Sequence, residues 1–491
     1  MPTIDAPSGN PRSPAGGRMP RLPLVAVCLG YFMVILDVTV VTVALPVIGD
    51  ALRSGVTGLQ WVVDGYTLVF AGLLLFCGGL GDRLGGKPVF LAGLLVFTLA
   101  SAGCAAAPTS AVLILARLIQ GVGAALLVPA SLSLLRAAYP GRAERARAFG
   151  VWGMVAGLAA GAGPVLGGVL VAGLGWRSVF LLNLPVGFTA LMLSVRHVPG
   201  SAADRSRRGL DLRAQTAAAV GLAGLATGGI EAGALGWTHP VVLGAFGVFP
   251  VALVAFLLLE RRSPAPMLPL ALFRAAGFSA STVIGLLLNT GFYGLLFLAP
   301  LYFQQVHHYS ALRTGLALLP AVCLIAVGSA LAGRVTARTG PRPPMVAGLV
   351  VGAAGLAGWV FAGPDTPYAV LVVPMAAAGL GTALTMPAAT AAVMESVPAD
   401  RGGAAAAVFN AARQLGSALG VALFGTLIAG GLVAGLHTAV LVGAAGFLVA
   451  AALAARYAAG PGREPEPLSS QRPVARRSAG SGRGHGGSGQ P

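Results

Sequence analysis

The chain has 491 residues, 56% of them hydrophobic and only 10% charged, which excludes an ordinary water-soluble globule of this length. A formal net charge of +17 from 32 Lys and Arg suggests nucleic acid as a partner until the positions of those residues are considered. The four cysteines lack any Cys-x-x-Cys spacing and fall in apolar stretches, where they are expected to pack as small apolar residues without a disulfide framework.

A bilayer-spanning helix needs about 20 predominantly apolar residues. In chain order, fourteen stretches meet this requirement: 23–45, 60–80, 88–107, 111–135, 148–172, 177–195, 212–232, 240–260, 278–300, 313–333, 343–363, 367–393, 404–430 and 437–457. The first run, from Leu22, exceeds a signal-peptide core and lacks a convincing cleavage site, so it reads as a retained span. The 72 glycines and 34 prolines suit helices in lipid, where small residues permit close approach and neighbours satisfy broken backbone bonds. Residues 1–22 and 458–491, rich in Pro, Gly, Ser and Arg, read as disordered cytoplasmic tails.

With the N-terminus inside, nearly all Lys and Arg fall on the cytoplasmic side, leaving Arg53, Arg177 and Arg313 outside and Arg117 and Arg413 within spans. This is the positive-inside pattern, and it predicts both termini in the cytoplasm; the preference for Arg, with Lys87 the only lysine, and the abundance of Ala and Gly suggest a high-GC bacterial gene, hence a bacterial plasma membrane. The basicity is therefore topology and lipid contact, and nucleic acid is not an expected partner.

Two internal repeats divide the chain. Residues 78–93, with Asp82, Arg83, Gly85 and Lys87, recur about 255 positions later around Arg334, Arg338, Gly340 and Arg342, with Ala337 in place of Asp82. The stretch from Ala111 through Gly121, Gly123 and Pro129 recurs as Ala369, Gly379, Gly381 and Pro387. The expected fold is all-α and six plus two plus six: an N-terminal six-helix bundle at 23–195, a linker with two inserted helices at 196–262, and a C-terminal six-helix bundle at 263–457. Repeats of the same direction imply a two-fold axis along the membrane normal and a substrate path between the halves.

Ionisable groups inside spans are the strongest chemical signal, because each costs about 2.5–3.5 kcal/mol at a helix centre. Asp37 lies about 12 Å, Arg117 about 9 Å and Asp64 about 6 Å from the expected outer ends of their helices. In the second half Arg117 becomes Met375 and Gln120 becomes Ala378, while Asp37 aligns loosely with Gly291, which assigns protonation chemistry to the first half. Desolvation favours a neutral carboxyl and a neighbouring guanidinium favours the carboxylate, so Asp37 with Arg117 is a candidate proton switch. A static ion pair that fixes helix packing is the alternative. Asp64, expected near the water interface, is assigned to the same coupling group, with a structural role as its alternative.

Span 5 holds Gly153, Gly157 and Gly161 at fourfold spacing, then Gly163, Pro164, Gly167 and Gly168, and reads as a close helix seam with a bend. Asn410, Arg413 and Gln414 share one face of span 13. They are candidates for binding substrate or for bonding neighbouring helices, and Gln120, Trp152, Asn183, Asn289 and Tyr293 are further pocket candidates. Residues 81–87 have P-loop spacing, but Pro88 stands where Ser or Thr must hold Mg²⁺, so no ATP site is expected. No His, Cys and carboxylate cluster has metal-ligand spacing either.

Taken together, these motifs resemble the 14-span drug:proton antiporters of the EmrB/QacA type within the major facilitator superfamily. Residues 78–90 resemble its first cytoplasmic-loop motif, in which Asp82 would be a conformational latch with Arg83, Gly85 and Lys87. Residues 113–123 resemble the span 4 motif, whose Arg is linked to proton transfer, and 163–168 the antiporter motif of span 5. Residues 36–46 and 175–185 are similar to signatures of the 14-span group. Thr42, Ala159, Ser178 and Arg413 depart from the usual pattern, and span 13 has no acidic residue. The resemblance implies a non-enzymatic exporter of amphipathic small molecules driven by the proton gradient, monomeric and without a cofactor. A facilitator carrying a specific metabolite, siderophore or lipid is the alternative.

Overall fold

The computed structural model describes residues 21–200, 211–263, 268, 270–398 and 401–458. Both expected tails lie almost wholly outside these residues, as does the middle of the expected linker. The described residues form sixteen α-helices: α1 (Arg21–Leu52), α2 (Val56–Leu84), α3 (Gly86–Ala106), α4 (Ser110–Ala138), α5 (Arg142–Leu174), α6 (Ser178–Leu181), α7 (Asn183–His197), α8 (Leu212–Leu235), α9 (Pro240–Arg262), α10 (Ala276–Leu301), α11 (Ala311–Ala317), α12 (Leu319–Thr339), α13 (Arg342–Ala357), α14 (Tyr368–Glu395), α15 (Gly402–Leu427) and α16 (Leu432–Tyr457). Thirteen helical segments among the described residues are long and apolar enough to cross a membrane. The remaining expected span, 313–333, is the pair α11 and α12, which meet at Leu318.

Proline explains both interruptions. Pro185 has no N–H for the carbonyl of Leu181, and the sixth span breaks at Leu182 into α6 and α7. Pro320 likewise cannot bond the carbonyl of Leu316, and the tenth span turns at Leu318. Pro46, Pro129, Pro164 and Pro387 are carried inside longer helices, as neighbouring helices permit in lipid. Pro46 does not end α1, which continues to Leu52, beyond the expected limit at residue 45.

The repeats are visible as repeated contacts. A Cβ on Gly93 of α3 would lie 3.0 Å from the Leu126 Cβ and 3.1 Å from the Gly123 carbonyl oxygen of α4; on Gly348 of α13 it would lie 2.9 Å from the Leu384 Cβ and 2.8 Å from the Gly381 oxygen of α14. Each half thus crosses its third and fourth spans backbone to backbone. A Cβ on Gly123 would come 2.7 Å from the Phe97 backbone nitrogen, so Gly123→Leu is expected to destabilise the first half by about 1–3 kcal/mol through overpacking. Thermal unfolding of the purified protein in detergent checks this, and an unchanged midpoint would contradict it.

Helix direction places Arg83, Lys87, Arg196, Arg213, Arg261, Arg262, Arg338 and Arg342 at one end of the bundle, called the basic end. Arg53, Arg177 and Arg313 lie at the opposite end. The halves meet along two related seams, α2 with α15 and α5 with α11 and α12. Towards the opposite end both seams are closed. Gln60 Nε2 donates to the carbonyls of Val421 (3.2 Å) and Ala422 (2.9 Å), and Gln304 Nε2 donates to that of Val43 (3.0 Å). A Cβ on Gly168 would lie 2.8 Å from the Ala311 oxygen, and one on Gly315 would overlap the Pro164 carbonyl.

Nearer the basic end this contact is lost. Cβ positions on Gly150, Gly153 and Gly157 of α5 and on Gly333 of α12 meet nothing within 4 Å. The inserted helix α8 lies across the α2–α15 seam and holds both sides: Glu231 accepts from Trp61 Nε1 (2.9 Å), Gln215 Nε2 donates to the Gly72 carbonyl (2.7 Å), and Thr426 Oγ1 donates to the carbonyl of Gly229. Its partner α9 exposes Val241, Leu243, Val251 and Val254 on its outer face.

Candidate functional site

Asp37 sits at the centre of a buried polar network inside the first half. Its Oδ2 pairs with Arg117 Nη1, and its Oδ1 accepts from Gln120 Nε2 and from Asn183 Nδ2, each at 2.9 Å. Arg117 is held on its other sides by the Val62 carbonyl (Nε, 2.9 Å) and Gln120 Oε1 (2.7 Å), and its guanidinium carbon lies 4.3 Å from the Tyr66 ring centroid. Gln120 Nε2 also donates to Ser101 Oγ (2.9 Å), and Cys104 Sγ donates to Gln120 Oε1 (3.7 Å). Asp37, Arg117, Gln120, Asn183 and Ser101 are all buried. Such a network is satisfied only as a set, so a change of charge at one member is felt by the rest.

Each element contributes one part. Asp37 comes from mid-α1, Arg117 and Gln120 from adjacent turns of α4, Ser101 and Cys104 from α3, and Asn183 from the start of α7. The Pro185 break brings Asn183 to the carboxylate. Asp37 and Arg117 therefore meet as the sequence predicts. Gln120 and Asn183 do not line a substrate pocket: their amides are spent on Asp37. Asn289, another pocket candidate, is buried and donates to the Gly285 carbonyl of its own helix (2.7 Å). Ser101 and Tyr66 were missed, and Cys104 is more than an apolar filler. A serine or tyrosine in an apolar run gives no signal of its partner. The repeat positions in the second half, Gly291, Met375 and Ala378, are buried and bring no charge or side-chain hydrogen bond.

Asp64 corrects an expectation of position. It is fully buried, and neither carboxyl oxygen has a hydrogen-bond partner among the described residues. Since α2 starts at Val56, four residues before the expected span, Asp64 lies one turn deeper than anticipated. It falls between Gln60 and Leu68 on the helix face that meets α15, one turn from the Gln60 contacts.

A second group of aromatic and polar side chains sits in the middle of α1, α5, α10 and α15. Tyr31 of α1 stacks on Trp152 of α5, with ring centroids 3.8 Å apart and planes at 8°. In the second half, Arg413 of α15 donates from Nη1 to Asn410 Oδ1 (3.1 Å). Tyr31, Trp152, Tyr293, Asn410, Arg413 and Gln414 are half-buried in the middle of their helices.

The glycine motif of α5 divides in two. Gly163 and Gly167 press on α1, where a Cβ would overlap Thr39 Oγ1 and come 2.9 Å from the Val40 oxygen, while Pro164 and Gly168 press on α11. Gly153 and Gly157 form no seam, contrary to expectation, because no helix approaches them. In the α2–α3 junction Gly85 has φ +90°, which favours glycine. Lys87 Nζ donates to the Val195 carbonyl at the end of α7 (3.0 Å), a contact within its own half, where a cation suits a helix C-terminus. Asp82 and Arg83 are exposed.

Relatives and solved structures bear on this arrangement. The chain is 37% identical over 426 residues to the methylenomycin A resistance protein of Streptomyces coelicolor (87% of this chain, 88% of the relative). It is 35% identical over 429 residues to the tetracenomycin C resistance and export protein of Streptomyces glaucescens (87% and 80%), and 39% over 411 residues to the puromycin resistance protein of Streptomyces alboniger (83% and 81%). Its fold matches the nucleoside transporter NupG with a TM-score of 0.63 at 12% identity (88% of this chain, 98% of that one), and a bacterial homologue of the human lysosomal transporter Spinster with 0.63 at 17% (90% and 98%). The Major Facilitator Superfamily model matches residues 27–421. Two repeated six-helix halves closed on each other at one end, with those matches across nearly the whole helical chain, place this protein in the Major Facilitator Superfamily as a multi-pass membrane transporter rather than an enzyme.

Proposed function

We propose that the chain exports amphipathic small molecules across the bacterial plasma membrane in exchange for protons, with its basic end and both termini in the cytoplasm. The observation that carries this reading is the place of Asp37 on α1. Within six residues of that carboxylate, α1 presents Thr39 to Gly163, Val40 to Gly167 and the Val43 carbonyl to Gln304. One short stretch of helix therefore joins a titratable group to one closing contact directly, through the Val43 carbonyl, and to the rest of the α5–α11 seam through the packing of α1 on α5. When Asp37 takes up a proton, Arg117 loses its anionic partner and the network must rearrange. The packing of α1 on α5 and α10 changes with it, which is the coupling that antiport requires.

The resistance and export names of the relatives support small-molecule efflux. Asp64 fits a second proton position, since a charged carboxylate sealed in the α2–α15 seam would be an unpaired buried charge and the neutral acid would not. Asp82 and Arg83, at the exposed basic end, are the candidate latch for the opposite conformation, with Gly85 shaping the turn between them and α3. Entry of one proton supplies about 2.3 kcal/mol per 100 mV. The transporter then needs no resident cofactor and works as a monomer in the lipid bilayer.

Expression in an efflux-deficient bacterial host, with a panel of dyes and antibiotics, tests the proposal. Accumulation of at least one compound is expected to fall, and to return to the host level when an uncoupler is added. Efflux that persists in the presence of the uncoupler would contradict proton coupling.

A further inference from the structure

Midway along α15 one positive charge has hydrogen-bonding capacity that the fold does not fill. Arg413 is half-buried, its Nε is buried without a partner, and its Nη1 donates to the neutral Asn410. No carboxylate among the described residues pairs with it. Of the buried acids in the first half, Asp37 has its oxygens occupied by Arg117, Gln120 and Asn183, and Asp64 makes no hydrogen bond among the described residues. The hydroxyls of Tyr31 and Tyr293 have no hydrogen-bond partner among the described residues, and both side chains are half-buried. Beside them the stacked pair of Tyr31 and Trp152 offers a flat apolar surface, and Trp152 is fixed by donating Nε1–H to Ser131 Oγ (3.2 Å).

Helix arithmetic brings Arg413 and Tyr31 to one level, with Tyr293 nearer the opposite end. Arg413 lies about 16 Å along α15 from its basic-end start and Tyr31 about 15 Å along α1. Tyr31 and Trp152 belong to the first half, Tyr293 and Arg413 to the second. A molecule between them would touch both halves, and the lack of contact around Gly150, Gly153 and Gly157 leaves the seam beside it open towards the basic end.

We infer that the exported substrates are organic anions: a carboxylate docks on Arg413 with help from the Tyr31 and Tyr293 hydroxyls, and a planar apolar body lies against Tyr31 and Trp152. A guanidinium and two phenolic donors match the acceptor lone pairs of a carboxylate. A cationic drug would bring a second positive charge beside Arg413, which no carboxylate among the described residues pairs, and this selects against cations. The inference rests on the proposed role as an exporter, and it adds the charge of the cargo.

Binding without a pH gradient separates this inference from proton coupling. Naphthoate, naphthamide and naphthylmethylammonium are titrated calorimetrically into the purified full-length protein in detergent. Wild type is expected to bind the carboxylate about tenfold or more tighter than either analogue. In Arg413→Gln that preference disappears while naphthamide affinity stays within about threefold, and Arg413→Lys retains part of it. Equal binding of all three ligands, tighter binding of the ammonium, or no binding of any of them by wild type overturns the inference. So does an Arg413→Gln protein that loses amide and carboxylate affinity equally. Should the Gln variant fail to fold, the wild-type ligand series still decides. A failed uncoupler experiment with intact carboxylate preference would refute antiport and leave this site standing.

Discussion

Asp37→Asn is expected to reduce gradient-driven export to the level seen with an uncoupler. Asn is nearly isosteric, and its Oδ1 still accepts from Gln120 and Asn183, but it cannot exchange a proton and leaves the Arg117 charge unpaired. Breaking a buried pair from one side costs about 3–5 kcal/mol, so lost activity alone would not separate coupling from folding. The double variant Asp37→Asn with Arg117→Gln removes both charges together and avoids the unpaired guanidinium. If the pair only fixes packing, the double variant recovers both thermal stability and transport. The expected result is recovery of stability without recovery of uphill transport, read by thermal unfolding and by uptake into inverted vesicles under an imposed pH gradient.

The second large effect concerns the seam. Gly315→Ala places a Cβ on the Pro164 carbonyl, and overpacking of this kind costs about 1–3 kcal/mol. That penalty applies only where α11 and α5 are in contact. It therefore shifts the population away from the conformation closed at the opposite end by about 10- to 100-fold, at 1.4 kcal/mol per factor of ten. Turnover is expected to collapse, and Val43→Cys, in a background without the native cysteines, should react with an impermeant maleimide added from the opposite side. Gly153→Ala is the control. Its Cβ meets nothing within 4 Å, so labelling and transport should change little. Equal effects of the two substitutions would contradict the seam.

These two variants also mark what the sequence revealed and what it left hidden. Asp37 and Arg117 stood out because ionisable groups in apolar runs are expensive and few, and the structure joins them. The duplicated halves were legible from Gly93 and Gly348 and from Gly123 and Gly381, whose repeat reflects a repeated backbone crossing. By contrast, Gly153 and Gly168 lie in one glycine pattern, yet only the second meets another helix. Periodicity gives the face of a helix, while the neighbour depends on how the two halves are tilted. The roles of Gln120 and Asn183 were hidden for a related reason. An amide has several possible partners, and the choice followed from rotation of α4 and from the Pro185 break in the sixth span. Asp64 lies deeper than the sequence suggests because α2 begins at Val56, a turn before the expected span at residue 60.

Proton counting tests most directly the claim that the Asp37 carboxyl drives the rearrangement of α1 and its seams. The protein is reconstituted in one orientation into liposomes enclosing a pH indicator, and a transported compound is supplied on the cytoplasmic face. Each molecule exported should be accompanied by protons moving the other way in fixed ratio, and Asp37→Asn should abolish that proton movement while still binding the compound. Export at the wild-type rate with no change in pH, or undiminished proton exchange by Asp37→Asn, would contradict the account.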